Sequence, residues 1–210
     1  MTESTFVGRV IRSGSIGFTV GCRDLTPGAP QFGAMVKVNL AEAADIFGLI
    51  YDIAVQDDPF VRQLIDVPDT DPEAILDQRQ RMAPVEVDVL MIGYRQGETI
   101  RQGLPPQPPI ALITLTTCTR SELRAFTLRR PPGDGGQAVP RLDYLRLLLN
   151  QGNLPVDELL VAHIRQAAQA HPPETRRGFL VAAGKELAHL LGGDLPRLDG
   201  ILRRLSSAYA

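Results

Sequence analysis

A glycine- and proline-rich break divides this chain into two parts of different character. Residues 131–136 read Pro-Pro-Gly-Asp-Gly-Gly, a composition that favours a linker over a helix or a strand. Before the break, β-branched residues punctuated by glycine predominate, whereas after it leucines recur with helical spacing. The pattern predicts a β-rich front domain (residues 1–130), a Gly/Pro linker (131–139) and a helical tail (140–210).

Strand patterns in the front part predict a small β-barrel. Val, Ile, Phe and Thr dominate residues 5–22 on both sides of Ser13-Gly14-Ser15, which indicates two strands joined by a tight turn. Strand character returns at residues 33–38 and 46–55, and again from Val85, where apolar and polar side chains alternate. Residues 110–117 form either a last strand or a buried extension.

Helix-start signals interrupt the strands and close the front part. Asp58-Pro59 and Asp71-Pro72 each place a capping side chain before a first-turn proline, so a helical insertion is predicted near residues 58–82. Thr119 and Glu122 match a capping box, which predicts a short helix through Phe126.

Four short helices are predicted in the tail, near residues 142–149, 155–170, 172–191 and 195–205, with His163 and His189 at the surface or an interface. The predicted fold class is α+β: a small closed or partly open β-barrel with helical insertions, followed by an all-α helical bundle. A tail this short needs the front domain or a second copy of the chain to cover its apolar faces. The second alternative predicts a homo-oligomer.

Composition excludes several classes of protein. Hydrophobic residues make up 44% of the chain and charged residues 22%, which is typical of a folded protein. A formal net charge of −2 lacks the strong positive field of a dedicated nucleic-acid binder. Cys22 and Cys118 lie in apolar runs and are predicted to be small buried side chains. With neither a signal-peptide pattern nor an 18-residue apolar run, the chain is expected to be cytoplasmic with no membrane partner.

Residue patterns for enzyme chemistry are weak. Residues 178–186 resemble a phosphate-binding loop, but five residues separate Gly178 from Gly184 where that loop has four, and Glu186 stands where a hydroxyl would bind Mg²⁺. The three histidines lack metal-ligand spacing. We therefore expect no catalytic residue, no cofactor and no metal.

Two charged clusters remain to be interpreted. Asp52, Asp57 and Asp58 are the best carboxylate group for a metal, although helix capping by Asp58 explains part of it. Basic charge concentrates before the linker, where it forms either a solvated face or a contact with nucleic acid or a partner protein. The candidate contact residues are Arg120, Arg124, Arg129 and Arg130.

The opening of the chain resembles a known barrel family. Residues 6–15, 18–20 and 33–38 are similar to the HAS barrel found at the N-termini of HerA-type DNA-translocating ATPases and of ATP synthase α and β subunits. Residues 46–51 resemble the strand in which such barrels repeat a G-x-V pattern. The resemblance covers roughly the first 100 to 125 residues, and it implies a barrel fold for them.

The resemblance also implies a function. In those ATPases the barrel precedes a RecA-like motor, whereas a helical tail takes that place here, so ATP hydrolysis is not expected. What remains is the role of the barrel in docking subunits or partners. The chain is therefore expected to be a non-enzymatic assembly or adaptor module with a protein partner such as an ATPase or a nuclease. The alternative is a nucleic-acid-binding or nuclease-accessory module.

Overall fold

Strands precede helices in the computed structural model, which describes residues 3–22, 31–40, 44–55, 85–129 and 138–206. The strands are β1 (Phe6–Ser13), β2 (Gly17–Cys22), β3 (Met35–Leu40), β4 (Ala44–Val55), β5 (Val85–Gln96), β6 (Thr99–Gln102), β7 (Thr114–Thr117), β8 (Leu128–Arg129) and β9 (Val139–Pro140). The helices are α1 (Arg120–Thr127), α2 (Leu145–Leu149), α3 (Val156–Ala170), α4 (Pro173–Leu190) and α5 (Leu195–Ser206).

Six antiparallel strands close into a barrel. Their order is β2-β1-β7-β3-β4-β5, and β2 pairs with β5 to complete the circle. The second half of β5 pairs instead with β6, which extends the sheet as a seventh strand. The predicted α+β class with a small barrel is confirmed, and the barrel is closed.

The barrel wall separates two hydrophobic cores. Side chains alternate along a strand, so Ile46 and Val89 point into the barrel interior while Phe47 and Leu90 belong to a core outside it. The outer core covers β3, β4 and β5 and continues into the helices. This wall is therefore buried on both faces, which explains its nearly continuous apolar sequence.

Helix α3 lies at the centre of the helical part, in contact with each of the other four described helices. Its side chains at Leu159, Leu160 and Ile164 are fully buried in the outer core. The sequence left open what covers the apolar faces of the tail. In the structure, the barrel wall covers them.

Two glycines allow helices to approach the barrel closely. Gly33 has a positive φ of 79°, and a Cβ at this position would lie 2.7 Å from the Cβ of Ala162 in α3. At Gly93 in β5, a Cβ would lie 2.5 Å from the ring of Phe126 in α1. Because side chains larger than hydrogen do not fit, the helices rest directly on the backbone of the barrel, at the turn before β3 and at β5.

Gln102 in β6 joins the barrel to the beginning of the tail. Its Nε2 donates to the carbonyl oxygens of Phe126 at 2.8 Å and Arg141 at 3.0 Å, and its Oε1 accepts from the Tyr144 backbone N–H at 3.3 Å. β8 and β9 pair beside it. Helix α2 starts at Leu145, later than predicted, because residues 142–144 form a turn held by this amide.

Most predicted elements in the described residues are confirmed. They include the hairpin around Ser13-Gly14-Ser15, the capping box and the three long tail helices. A last strand forms at β7, whereas residues 111–112 form an exposed turn that bonds to Val10 of β1. The helical insertion near 58–82 and most of the linker lie outside the described residues, and the domain boundaries stay a prediction.

Replacing Gly93 should test whether α1 rests on the barrel. We expect Gly93→Ala to lower the free energy of unfolding by about 2 kcal/mol, because the new methyl group overlaps the Phe126 ring and the Arg101 carbonyl oxygen. The matched control is Gly103→Ala, whose Cβ would meet no atom within 4 Å, and its effect should stay within about 0.5 kcal/mol. Equal effects in urea unfolding would contradict the contact.

Candidate functional site

The capping box of α1 presents two arginines to solvent. The Thr119 hydroxyl accepts from the Glu122 backbone N–H at 3.2 Å, and the Glu122 carboxylate accepts from the Thr119 N–H at 2.9 Å. Glu122 also forms an ion pair with Lys37 of β3. Burial would raise the pKa of Glu122, but the hydrogen bonds from Lys37 and Thr119 hold it below its ordinary value. With this side of α1 held against the barrel, Arg120 and Arg124 lie exposed, one turn apart.

Arg120, Arg124 and Arg129 form an exposed basic surface, which we call the arginine surface. Arg129 follows α1 on β8, whereas Arg130 lies outside the described residues. Within the described part of the chain, none of these three guanidinium groups forms an ion pair. Three of the four predicted contact residues are therefore exposed on one short stretch of the chain, with no ion-pair partner among the described residues.

His171 lies buried at the inner side of this surface. Its Nε2 is 3.2 Å from the Thr127 hydroxyl, and its ring stacks on Phe179 with the centroids 4.3 Å apart. Burial lowers the pKa of His171, and the positive charges of Arg124 and Arg176 lower it further. The imidazole is therefore neutral at pH 7 and adds no charge to the arginine surface.

A second candidate surface lies on the barrel wall at β1, away from the wall that the helices cover. Ile110 and Leu112 are each 70% exposed, and Ile11 is 44% exposed. Val10 of β1 bonds through its backbone to Leu112 and Ile113, and the Ser13 hydroxyl donates to the Pro109 carbonyl oxygen at 2.7 Å, so the segment that carries Ile110 and Leu112 runs beside Ile11. We call Ile11, Ile110 and Leu112 the apolar patch. The sequence analysis missed it, although the alternation along β1, with Val10 inward and Ile11 outward, is a signal that could have found it.

The carboxylates and thiols that could bind a metal or react are either not brought together or unreactive in the part of the chain that the structure describes. Asp52 is exposed, while its predicted companions Asp57 and Asp58 lie outside the described residues. Among the residues that the structure describes, no three metal-ligating side chains form a group that could hold a metal ion. Cys22 is buried, as predicted. Burial and the neighbouring Glu122 raise the pKa of the Cys118 thiol well above its usual range, which leaves it protonated.

His163 lies at an interface inside the chain. It is fully buried between α3 and the barrel, so of the two predicted places, surface or interface, it takes the interface, whereas His189 is exposed. The Tyr144 hydroxyl donates to Nε2 at 2.8 Å, and Nδ1 donates to the Gly33 carbonyl oxygen at 3.3 Å. His163 shares the apolar stripe of Leu159 and Ala167 at four-residue spacing, which is a signal in the sequence for burial.

No protein-family model matches this sequence, and no curated protein matches it either. Within the described ranges, none of the helices is both long and apolar enough to span a membrane.

The buried His163 should make stability depend on pH. Burial lowers the pKa of His163 to about 4, even though the hydrogen bond with Gly33 acts in the opposite direction. Between about pH 6.5 and pH 4, the unfolded chain binds a proton that the folded chain does not, so stability falls as the pH falls. From pH 7.5 to pH 5, this site should cost about 2 kcal/mol of unfolding free energy.

Urea unfolding at the two pH values measures this loss. The control is His163→Gln, whose amide can accept from Tyr144 and donate to Gly33 but does not titrate. Its stability should decrease less than that of the wild type over the same pH interval. The same decrease in both proteins would show that His163 is not the titrating group.

Proposed function

We propose that this protein is a non-enzymatic assembly or adaptor module whose barrel docks a protein partner at the apolar patch. The observation that carries the proposal is the difference between the two barrel walls. Helices cover the wall formed by β3, β4 and β5, whereas the wall at β1 exposes three large aliphatic side chains. Contiguous exposed apolar side chains are typical of protein interaction sites.

The backbone at the patch supports this interpretation. Leu112 has a φ of 68°, a left-handed conformation that costs a residue with a side chain about 1 kcal/mol. Two hydrogen bonds hold it: its N–H donates to Val10 O at 2.8 Å, and Arg9 Nη1 donates to its carbonyl oxygen at 3.0 Å. Backbone strain of this kind concentrates at functional positions.

Charge beside the patch indicates what kind of partner fits. Arg9 is exposed and bonds to the Leu112 carbonyl and, at 3.4 Å, to the Thr114 hydroxyl, both of them neutral acceptors. A partner segment that combines apolar side chains with a carboxylate would cover the patch and pair with Arg9. The resemblance to HAS barrels agrees with a docking role and would make an ATPase or a nuclease the partner.

Substitution of the patch tests the proposal. Ile110→Lys/Leu112→Lys should remove at least about nine tenths of the partner recovered by cross-linking in cells and mass spectrometry, because two charges would enter a dry contact. The matched control, Val181→Lys/Leu195→Lys, changes two exposed aliphatic residues on α4 and α5 and should leave recovery unchanged. Identical cross-linked proteins from both variants would refute docking at the patch.

Light scattering of the purified variants separates two kinds of partner. An oligomer that the patch variant alone converts to a monomer would make the partner a second copy of this chain. If the wild-type protein is a monomer, the partner is a different protein.

The arginine surface supports a second function, contact with nucleic acid. Its three described guanidinium groups form no ion pairs within the described residues and are therefore available to phosphates. Fluorescence anisotropy with single- and double-stranded DNA at several salt concentrations tests it. Arg120→Gln/Arg124→Gln should lower the salt slope by about 2, or about one unit per phosphate contact.

The control for this measurement is Arg203→Gln, since Arg203 is equally exposed but already paired with Asp199 at 2.9 Å. It should change the slope little. A wild-type protein whose anisotropy stays flat across the salt series would remove the nucleic-acid function and leave docking at the patch untouched.

A further inference from the structure

A groove on the outer surface of the barrel has the properties of a binding site. It lies between the β1–β2 turn, the outer faces of β4 and β5, and the loop that joins α2 to α3. Its volume is about 300 Å³, which is the size of a small-ligand site. Neither the apolar patch nor the arginine surface is part of it.

A polar row of Arg12, Thr19 and Asp88 lines the groove and continues to Asp52, which lies beside Asp88 on β4. Strand pairing places Arg12 opposite Thr19, Thr19 opposite Asp88, and Asp88 opposite Asp52, across four adjacent strands. The Thr19 hydroxyl donates to the Asp88 carboxylate. Because directly opposed residues point to the same face of a sheet, Asp52 and Asp88 place two carboxylates beside each other on the outer surface.

A β-bulge adds a tyrosine to these carboxylates. The register of β4 against β5 shifts between Ile50 and Asp52, which leaves Tyr51 as the extra residue. Bulges redirect side chains, and Tyr51 packs against the outer core and lines the groove. Burial raises the pKa of Tyr51, and the charges of Asp88 and Asp52 raise it further against the opposing effect of Arg12. The phenol of Tyr51 therefore lies within electrostatic reach of both carboxylates.

Arg12 also lines the groove, but its ion-pair partner is Glu86 and not the carboxylate pair. Arg12 forms an ion pair with Glu86 at 3.0 Å and reaches the Thr19 hydroxyl at 3.4 Å. Within the part of the chain that the structure describes, neither Asp52 nor Asp88 forms an ion pair. Like charges directly opposite each other destabilise a sheet. A bound cation would remove this repulsion.

Three apolar side chains also line the groove, beside polar ones such as Ser13 and Gln151. Ile16 is half exposed on the β1–β2 turn, Leu90 is buried on β5, and Leu154 contributes from the loop before α3. Such walls suit the methylene stem of an organic cation, whereas a hydrated metal ion gains nothing from them. The Tyr51 ring also offers a face to a cation.

We propose that this groove binds an alkylammonium or alkylguanidinium group, with the charged head at Asp88, Asp52 and Tyr51 and the stem against Ile16, Leu90 and Leu154. Two kinds of ligand contain such a group: a free polyamine, and a peptide with an arginine or lysine side chain. The groove does not depend on the docking role proposed above, because it uses different residues.

Amide chemical shifts of the full-length protein test the site. Two probes are titrated separately: spermidine as the free cation, and the capped tripeptide acetyl-Gly-Arg-Gly-amide as the peptide source. At least one should shift the backbone amides of Tyr51, Asp88 and Gln151 in a saturable way, and the tighter of the two identifies the source. The absence of shifts at these amides up to about 10 mM of either probe would overturn the proposal, since so weak an affinity is not that of a specific site.

Substitutions test whether the carboxylates of Asp52 and Asp88 are responsible for binding. Asp88→Asn keeps an oxygen that accepts from Thr19 but removes the charge. It should lower the affinity for the probe at least about tenfold. Asp52→Asn, at an exposed position, provides a second variant that keeps the fold and should weaken binding in the same direction. Glu98→Gln, an exposed carboxylate at the β5–β6 turn, is the control and should bind like the wild type. Equal affinity in all four proteins would overturn the proposal.

Discussion

The pairing of β2 with β5 is the contact on which the rest of this structure depends. It closes the barrel and removes the two strand edges that an open sheet would expose. Closure also seals the interior core, in which Val20, Val87 and Val89 have no exposed surface. Because β5 continues past β2, its second half remains available for β6 and for the ring of Phe126. The same strand therefore completes the barrel and carries the surface on which the helices rest.

Local signals in the sequence predicted much of this architecture. The hairpin turn, the capping box of Thr119 and Glu122 and the long tail helices depend on neighbouring residues, and the sequence shows such signals directly. Pairings between distant strands are different. Ile46 and Phe47 are both apolar, and only the closed barrel decides that one faces inward and the other meets the helices. The burial of His163 could be predicted from its place in the apolar stripe of α3. Its hydrogen bond to Gly33 could not, because that bond depends on how α3 packs against the barrel.

The candidate sites follow the same distinction. Arg120 and Arg124 were found because basic residues concentrate in the sequence just before the linker. The Asp52–Asp88 pair was not found, because it depends on the register of two strands and on a bulge that no local pattern indicates. The left-handed Leu112 is equally hidden, since leucine carries no preference for that conformation. Sequence analysis thus located charge along the chain, whereas the structure was needed to show which charges face each other.

The bonds of Gln102 have a consequence for how this protein can vary. They join β6 to the end of α1 and to the turn before α2, and the pairing of Leu128 with Pro140 holds the chain on both sides of residues 130–137. The position of the tail on the barrel is therefore set by contacts outside that segment. Insertions there would lengthen a segment whose flanking residues, Arg129 and Val139, are already paired, at a small entropic cost. This is the point at which evolution, or an engineer, could add a further module without moving the helices.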